Sequence, residues 1–198
     1  MSPGYLGFER MIEKPSLERF KGGSSDSIDT SFSRYYQRAL KITLKHISSE
    51  LLKKPSIDPF ARDCQWAKIT NDLDPSKKAQ YNMDALDFVS MFDSESISMI
   101  LFDPPFSTSQ EKKYEYNSNL YAADSNKISN LYKECFRVLA PGGMMLKLGY
   151  NSTRPHPGFK LKHLMVVNFG GSRNDVIASI WRKEQTTLTQ YTIKELKE

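Results

Sequence analysis

Apolar positions recur along this chain with two periods, one helical and one short and dense. Between Ser33 and Pro55, Tyr36, Leu40, Thr43, Leu44, Ile47 and Leu51 fall at helical spacing, while Arg34, Arg38, Lys41 and Lys45 take the other faces. This predicts an amphipathic helix that stops at Lys53-Lys54-Pro55, because proline cannot continue it. Short strands are expected around Ser56 and Ile57 and from Ala67 to Thr70. Between them lie the loop Asp58-Pro59-Phe60-Ala61-Arg62-Asp63-Cys64 and a helical turn through Gln65-Trp66. Asp84 to Val89 reads as a strand end followed by a helix. Ile97 to Phe102 is an uninterrupted run of almost wholly apolar residues, which suits a strand covered on both faces, as parallel sheets require. It stops at Asp103-Pro104-Pro105.

Residues 107–123 are polar and read as a long loop in which Tyr114, Tyr116 and Tyr121 alternate with Lys112, Lys113 and asparagines. Ile128, Leu131, Tyr132, Cys135, Phe136 and Leu139 then mark a second amphipathic helix, with Pro141-Gly142-Gly143 as its terminator. Met144 to Tyr150 is the next strand, and Leu161 to Phe169 with Val176 to Trp181 form a hairpin with a longer loop. Strands alternating with helices and ending in a hairpin predict an α/β fold, a mostly parallel sheet with an antiparallel C-terminal hairpin. Residues 1–31 mix Gly, Pro, Ser and charge without periodicity and read as a flexible or late-docking arm, which leaves 32–198 as a single domain. In an open α/β sheet ligands bind outside the carboxyl ends of the strands. Asp58, Asp72, Asp84 and Asp103 each fall where a strand is expected to end, so four carboxylates are expected on one rim.

Composition narrows the class. A hydrophobic share of 39% with 26% charged residues argues against wholesale disorder. No apolar stretch approaches the roughly 20 residues of a membrane-spanning helix, and the N-terminus lacks the layout of a secretion signal, so a cytoplasmic protein without a membrane partner is expected. Cys64 and Cys135 are too few for a disulfide framework, and His46, His156 and His163 make no metal-ligand spacing, so no metal is expected. A net charge of +5 adds only slightly to the case for a nucleic-acid partner.

Consecutive prolines fix their own φ and hold the preceding residue extended, so the Asp103 carboxylate is aimed rather than free to swing. An isolated Asp-Pro-Pro would equally suit a stiff turn with a solvated carboxylate. The full set Asp103-Pro104-Pro105-Phe106, following an apolar strand, resembles the [Asp/Asn/Ser]-Pro-Pro-[Tyr/Phe/Trp] hallmark of the amino-methyltransferases, the DNA adenine-N6 and cytosine-N4 enzymes of the S-adenosylmethionine-dependent class I. Asp58-Pro59-Phe60-Ala61 is similar to that family's first-strand motif, Asn71-Asp72 to the acidic end of its second strand and Asp84-Ala85 to its third. Val138-Leu139-Ala140-Pro141-Gly142-Gly143 is similar to the segment before its fifth strand. The resemblance spans residues 33–183 and departs at Arg62-Asp63-Cys64, where the family usually has glycines.

The resemblance implies a class I, Rossmann-like methyltransferase fold, S-adenosylmethionine as cofactor and transfer of its methyl group to the exocyclic amino nitrogen of a DNA base, adenine N6 first and cytosine N4 as a variant. That nitrogen is a poor nucleophile because its lone pair is delocalised into the ring. The Asp103 carboxylate and the Pro104 carbonyl would accept its hydrogens and localise the lone pair. Pro105 would stiffen the loop, and Phe106 would stack on a base flipped from the duplex. Asp72, with Asp74 as a rival, would hold the ribose hydroxyls of the cofactor. Asp84 would meet its adenine amino group, and Asp58 with the main chain of Phe60 and Ala61 would border its methionine portion. Family members that select a DNA sequence usually carry a separate recognition domain, for which this chain has no length. Target choice would therefore fall to residues 107–123, to residues 151–163 with Arg154, His156, Lys160 and Lys162, to the N-terminal arm or to a protein partner. Two rival readings are methylation of an RNA base and a non-catalytic binding protein that keeps the fold.

Overall fold

The apolar runs assemble into one seven-stranded sheet in the computed structural model, which describes residues 14–22, 33–105, 121, 124–169 and 174–184. The strands are β1 (Ser16–Lys21), β2 (Ser56–Asp58), β3 (Ile69–Thr70), β4 (Ile97–Phe102), β5 (Leu139–Gly149), β6 (Phe159–Asn168) and β7 (Val176–Lys183). The helices are α1 (Arg34–Lys45), α2 (Ala85–Ser90) and α3 (Ser125–Val138). Strand order is β1-β6-β7-β5-β4-β2-β3. β7 runs antiparallel to both of its neighbours, and the other pairings are parallel. This is the expected Rossmann-like sheet with its antiparallel hairpin.

All six residues of β4 are buried, and their alternation shows why the run is apolar except at Ser98, whose hydroxyl is satisfied by the carbonyls of Lys54 and Pro55. Met99 and Leu101 pack with Tyr35, Tyr36, Ala39 and Leu40 of α1 on one face. Ile100 and Phe102 pack with Phe88 and Val89 of α2 and Leu131 and Cys135 of α3 on the other. A strand covered on both faces has no polar side to present. The Asp124 side chain starts α3 by accepting from the amides of Asn126 and Lys127. Among the described residues no helix is long and apolar enough to cross a membrane.

The structure corrects several expectations. The first helix ends at Lys45, not at Pro55. The His46 and Ile47 amides tighten onto the carbonyls of Thr43 and Leu44, and Leu51–Lys53 forms a separate 3₁₀ turn. The helical period outruns the helix because Ile47 and Leu51 still pack onto the same core. Gln65 and Trp66 form no helical turn, and the chain reverses earlier, with the Cys64 amide on the Ala61 carbonyl at 2.7 Å. No strand precedes Asp84, and only an isolated parallel bridge joins Tyr81 to Asn71.

Pro141-Gly142-Gly143 does not terminate the second helix. The helix has ended at Val138, and Leu139 already pairs with Ile97 of β4. The next paired position is Met144 against Met99, so residues 140–143 bulge out of β5. Gly142 takes φ 80° in that bulge, and a Cβ on Gly143 would lie 2.8 Å from the Ala140 carbonyl oxygen.

Part of the presumed arm is structured. Ser16–Lys21 adds an edge strand parallel to β6, from Ser16 opposite His163 to Lys21 opposite Asn168. Its signal was absent from the sequence because an edge strand is held by backbone pairing. Its Leu17 is 73% exposed. The remainder of the 1–31 arm lies outside the described residues, as do residues 107–123 except Tyr121.

Candidate active site

From the adjacent strands β2 and β4 the sheet grows in opposite directions, to β3 on one side and to β5 on the other. Such a switch point opens a crevice at the carboxyl ends of the two strands. Asp58 is the last residue of β2 and Asp103 follows the last residue of β4, so both stand at this crevice. Asp58 is buried, and its Oδ1 accepts the Phe60 amide at 3.0 Å. Burial pushes its carboxyl well above the ordinary carboxylate range against the effect of that hydrogen bond, and the charges of Asp103 and Asp72 push the same way. Asp103, Pro104 and Pro105 are half-buried. Phe106 lies outside the described residues.

Asn71 ties the loops behind this crevice together. It is fully buried, and its Nδ2 donates to the carbonyls of Pro59 at 3.1 Å and Met83 at 3.0 Å. Its Oδ1 accepts the Met83 amide at 3.1 Å, and its own carbonyl accepts the Ala61 amide at 2.8 Å. The amides of Phe60 and Ala61 are therefore already paired inside the protein. These two residues can offer a ligand shape and carbonyl oxygens.

Asp72 stands behind the turn that departs from the family pattern. Its Oδ2 accepts the Arg62 amide and its Oδ1 the Asp74 amide, each at 2.9 Å. Burial outweighs these bonds and raises its pKa. Arg62 occupies the left-handed region at φ 51°, a conformation in which glycine is the usual residue. The backbone path is thus kept without a glycine. Asp74 differs from its neighbour: its Oδ1 accepts the Ser76 amide at 2.8 Å in a turn, which together with the Ser76 hydroxyl lowers its pKa. The segment it caps is not a helix.

Asp84 belongs to a separate cluster. It caps α2 by accepting the Leu86 amide at 2.9 Å, it accepts the Tyr121 hydroxyl, and it pairs with Lys127 Nζ at 2.7 Å. Burial alone would raise its pKa, but the bonds from Lys127 and Tyr121 prevail and lower it. Tyr121, expected in a polar loop, is 7% exposed and packs edge-on against Phe60 with centroids 5.5 Å apart. The rim carboxylates thus divide. Asp103 and Asp72 both act on Asp58 at the crevice, and Asp84 touches that group through Tyr121 and Phe60.

Lys147 is a further buried charge near the crevice, and a lysine inside the apolar run Met144-Met145-Leu146-Lys147-Leu148 is its signal in the sequence. It lies on β5 opposite Phe102, the residue before Asp103, and its Nζ donates to Asn151 Oδ1 and the Thr153 carbonyl, each at 3.1 Å. It thereby shapes the loop after β5. Burial lowers its pKa to about 8. Within residues 151–163, His156 is stacked on Phe136 at 4.1 Å and Lys162 is buried, while Arg154 is exposed.

No family model matches this chain, and no curated protein matches it. Solved structures resemble it in chain path. NodS, an N-methyltransferase of Bradyrhizobium japonicum, matches with a TM-score of 0.49 and 11% identity over 76% of this chain and 97% of its own. The yhhF protein of Escherichia coli, described as a candidate methyltransferase, matches with a TM-score of 0.47 and 11% identity over 74% of this chain and 86% of its own. A protein of Thermus thermophilus described as a candidate DNA modification methylase has a TM-score of 0.36 and 18% identity over 55% of this chain and 57% of its own. The class of the fold follows from the strand order and pairing themselves.

Proposed function

We propose that this chain is an S-adenosylmethionine-dependent methyltransferase that modifies the exocyclic amino nitrogen of a nucleic-acid base, adenine N6 of DNA in the first place. The observation that carries the reading is the position of Asp103-Pro104-Pro105: it leaves β4 at the switch point, beside the buried carboxylate of Asp58. An acidic crevice of this kind suits a ligand with a cationic end. When bound, the cofactor supplies a methyl group activated on a sulfonium.

The residues of the chain do the rest. The Asp103 carboxylate and the Pro104 carbonyl accept the two amino hydrogens and turn the nitrogen lone pair outward. Asp103 then takes the proton that the nitrogen loses as it gains the methyl group. Preorganised acceptors of this type stabilise charge that develops during transfer. Phe106 would stack on the target base. Asp72 keeps capacity for ribose hydroxyls, since a carboxylate has roughly four lone-pair sites and two are taken here. Asp84 already receives three donors, so an adenine amino group would add a fourth. Asp58, Phe60 and Ala61 border the amino-acid end. Target choice rests with residues 107–123, residues 151–163 or a protein partner.

The test is incubation with labelled cofactor and either DNA or RNA, followed by mass spectrometry of the nucleosides. N6-methyldeoxyadenosine is the expected product. A methylated ribonucleoside would move the reading to RNA, and no product from either, with folded protein, would refute it.

A further inference from the structure

Lys147 carries its charge in a position suited to an apolar side chain. It lies in β5 among Met144, Met145, Leu146 and Leu148, is 5% exposed, and stands opposite Phe102, the residue before Asp103. An ammonium in the interior needs an acceptor for each of its hydrogens, and one loop supplies them. They are the Asn151 carbonyl at 3.3 Å, Asn151 Oδ1 at 3.1 Å and the Thr153 carbonyl at 3.1 Å. Asn151 Oδ1 also accepts the Thr153 amide at 3.2 Å. A surface loop can satisfy its carbonyls with water, and methionine would fill the strand position without the cost of burying a charge. The buried charge therefore serves the loop, whose backbone it fixes beyond the carboxyl end of β5.

The far end of the loop is fixed as well. His156 stacks on Phe136 of α3 with centroids 4.1 Å apart, and its Nδ1 accepts the Gly158 amide at 3.2 Å. Gly158 lies so close to α3 that a Cβ there would be 2.3 Å from the Phe136 ring. Arg154 stands between these anchors, directly after Thr153 and directly before Pro155, which confines its backbone to the extended region. It is exposed, and it makes no hydrogen bond or ion pair with the described residues. Within residues 151–163 the lysines are drawn into the sheet: Lys162 is buried, and Lys160 is half-buried in β6 opposite Arg182.

The crevice beside this loop is acidic. Asp58 ends β2 and Asp103 follows β4, and β5 is the neighbour of β4, so the loop leaves the sheet about 5 Å from the strand that leads to Asp103. A base that reaches Asp103 brings its phosphodiesters to a rim whose carboxylates repel them. A guanidinium fixed at that rim offsets the repulsion and binds phosphate oxygens through paired N–H donors. Because the backbone on both sides of Arg154 is already ordered, little conformational freedom is lost on contact.

We propose that Arg154 contacts a backbone phosphate of the DNA strand that carries the target base, and that Lys147 is a positioning residue that holds the Arg154 loop for it. This rests on the nucleic-acid reading above and assigns Arg154 to the backbone, not to the bases.

The experiment measures binding of two short fluorescein-labelled DNA duplexes of different sequence, by anisotropy over a range of salt concentrations. The proteins are wild type, Arg154→Gln, Lys147→Met, Asn151→Ala and the double variant of Arg154→Gln with Lys147→Met. Arg154→Gln should weaken both duplexes alike, roughly 3- to 30-fold, and lower the slope of log affinity against log salt by about 1. In steady-state assays its loss should fall on the KM for DNA, with kcat within about threefold of wild type and affinity for S-adenosylhomocysteine within about twofold. Lys147→Met should reproduce the weaker binding and the lower slope, and the double variant should bind no worse than Lys147→Met alone, because both changes act through one contact. Asn151→Ala removes an acceptor of Lys147 from the solvent side and should act in the same direction, so it carries the test if Lys147→Met does not fold. An unchanged salt slope in Arg154→Gln, or unequal losses for the two duplexes, would overturn the phosphate contact and leave the methyl-transfer reading standing. Additive losses in the double variant, or wild-type binding by folded Asn151→Ala, would overturn the positioning role. Failure of folded wild type to bind either duplex would sink the DNA reading and this inference together.

Discussion

The side chain of Asp72 holds the backbone amide of Arg62 at 2.9 Å, and Arg62 stands in the left-handed region at φ 51°. A non-glycine residue in that region costs about 1 kcal/mol or more, and the hydrogen bond helps to offset it. Asp72→Ala would leave the amides of Arg62 and Asp74 without their acceptor. It should lower stability by about 1–3 kcal/mol in urea unfolding. Arg62→Gly keeps the amide and relieves the backbone, so it should be neutral or stabilising by up to about 1 kcal/mol. A large loss from Arg62→Gly would mean that the guanidinium, not the backbone, matters at this turn.

Tyr121 and Lys127, the latter in the first turn of α3, converge on the Asp84 carboxylate. Tyr121→Phe should cost about 1 kcal/mol. Combined with Lys127→Met, the loss should differ from the sum of the two, because both side chains act on one carboxylate. The folded-state pKa of Asp84 is lowered, so the stability it contributes is complete at neutral pH and is lost as pH falls through that lowered value. Thermal unfolding from neutral pH down to about pH 3 should show this loss in wild type and less of it in Lys127→Met. Additive effects and identical acid profiles would refute the cluster.

Lys147 predicts the opposite behaviour in alkali. In the unfolded chain a lysine holds its proton to about pH 10.4, whereas the folded protein releases this one at about 8. Between those values the unfolded state binds more protons, so stability rises with pH across the window. Lys147→Met should flatten that rise when urea unfolding is compared at about pH 7.5 and about pH 10. Part of the slope should persist, because burial lowers the Lys183 pKa as well, against the pull of Glu95. An unchanged slope would show that Lys147 is not the group responsible.

Asp103→Asn retains an acceptor oxygen and removes the charge. Methyl transfer should fall at least about 100-fold, the scale seen when a preorganised charge-stabilising group is lost, while affinity for S-adenosylhomocysteine stays within about threefold. Single-turnover assays give the rate of transfer and calorimetry on the same preparations gives the affinity. A matching collapse in affinity would make Asp103 a cofactor ligand.

The readable part of this protein was local. The apolar run Ile97–Phe102, the amphipathic stripe of α3, the order of strands and helices, and the carboxylates ending β2 and β4 follow from neighbours a few residues apart, because burying one or both faces of an element leaves its period in the chain. What only the tertiary structure decided was long-range. Ser16–Lys21 is a strand because β6 offers its edge, and residues 140–143 bulge because Leu139 and Met144 both pair with β4. Tyr121 left its polar loop for the interior because Asp84 and Phe60 were there to receive it. Tyr36 is one more position on the apolar face of α1 in the sequence, and only the packing around it leaves its buried hydroxyl without a partner among the described residues. Pairing between distant backbones and the meeting of distant charges depend on strand order, which no local pattern carries.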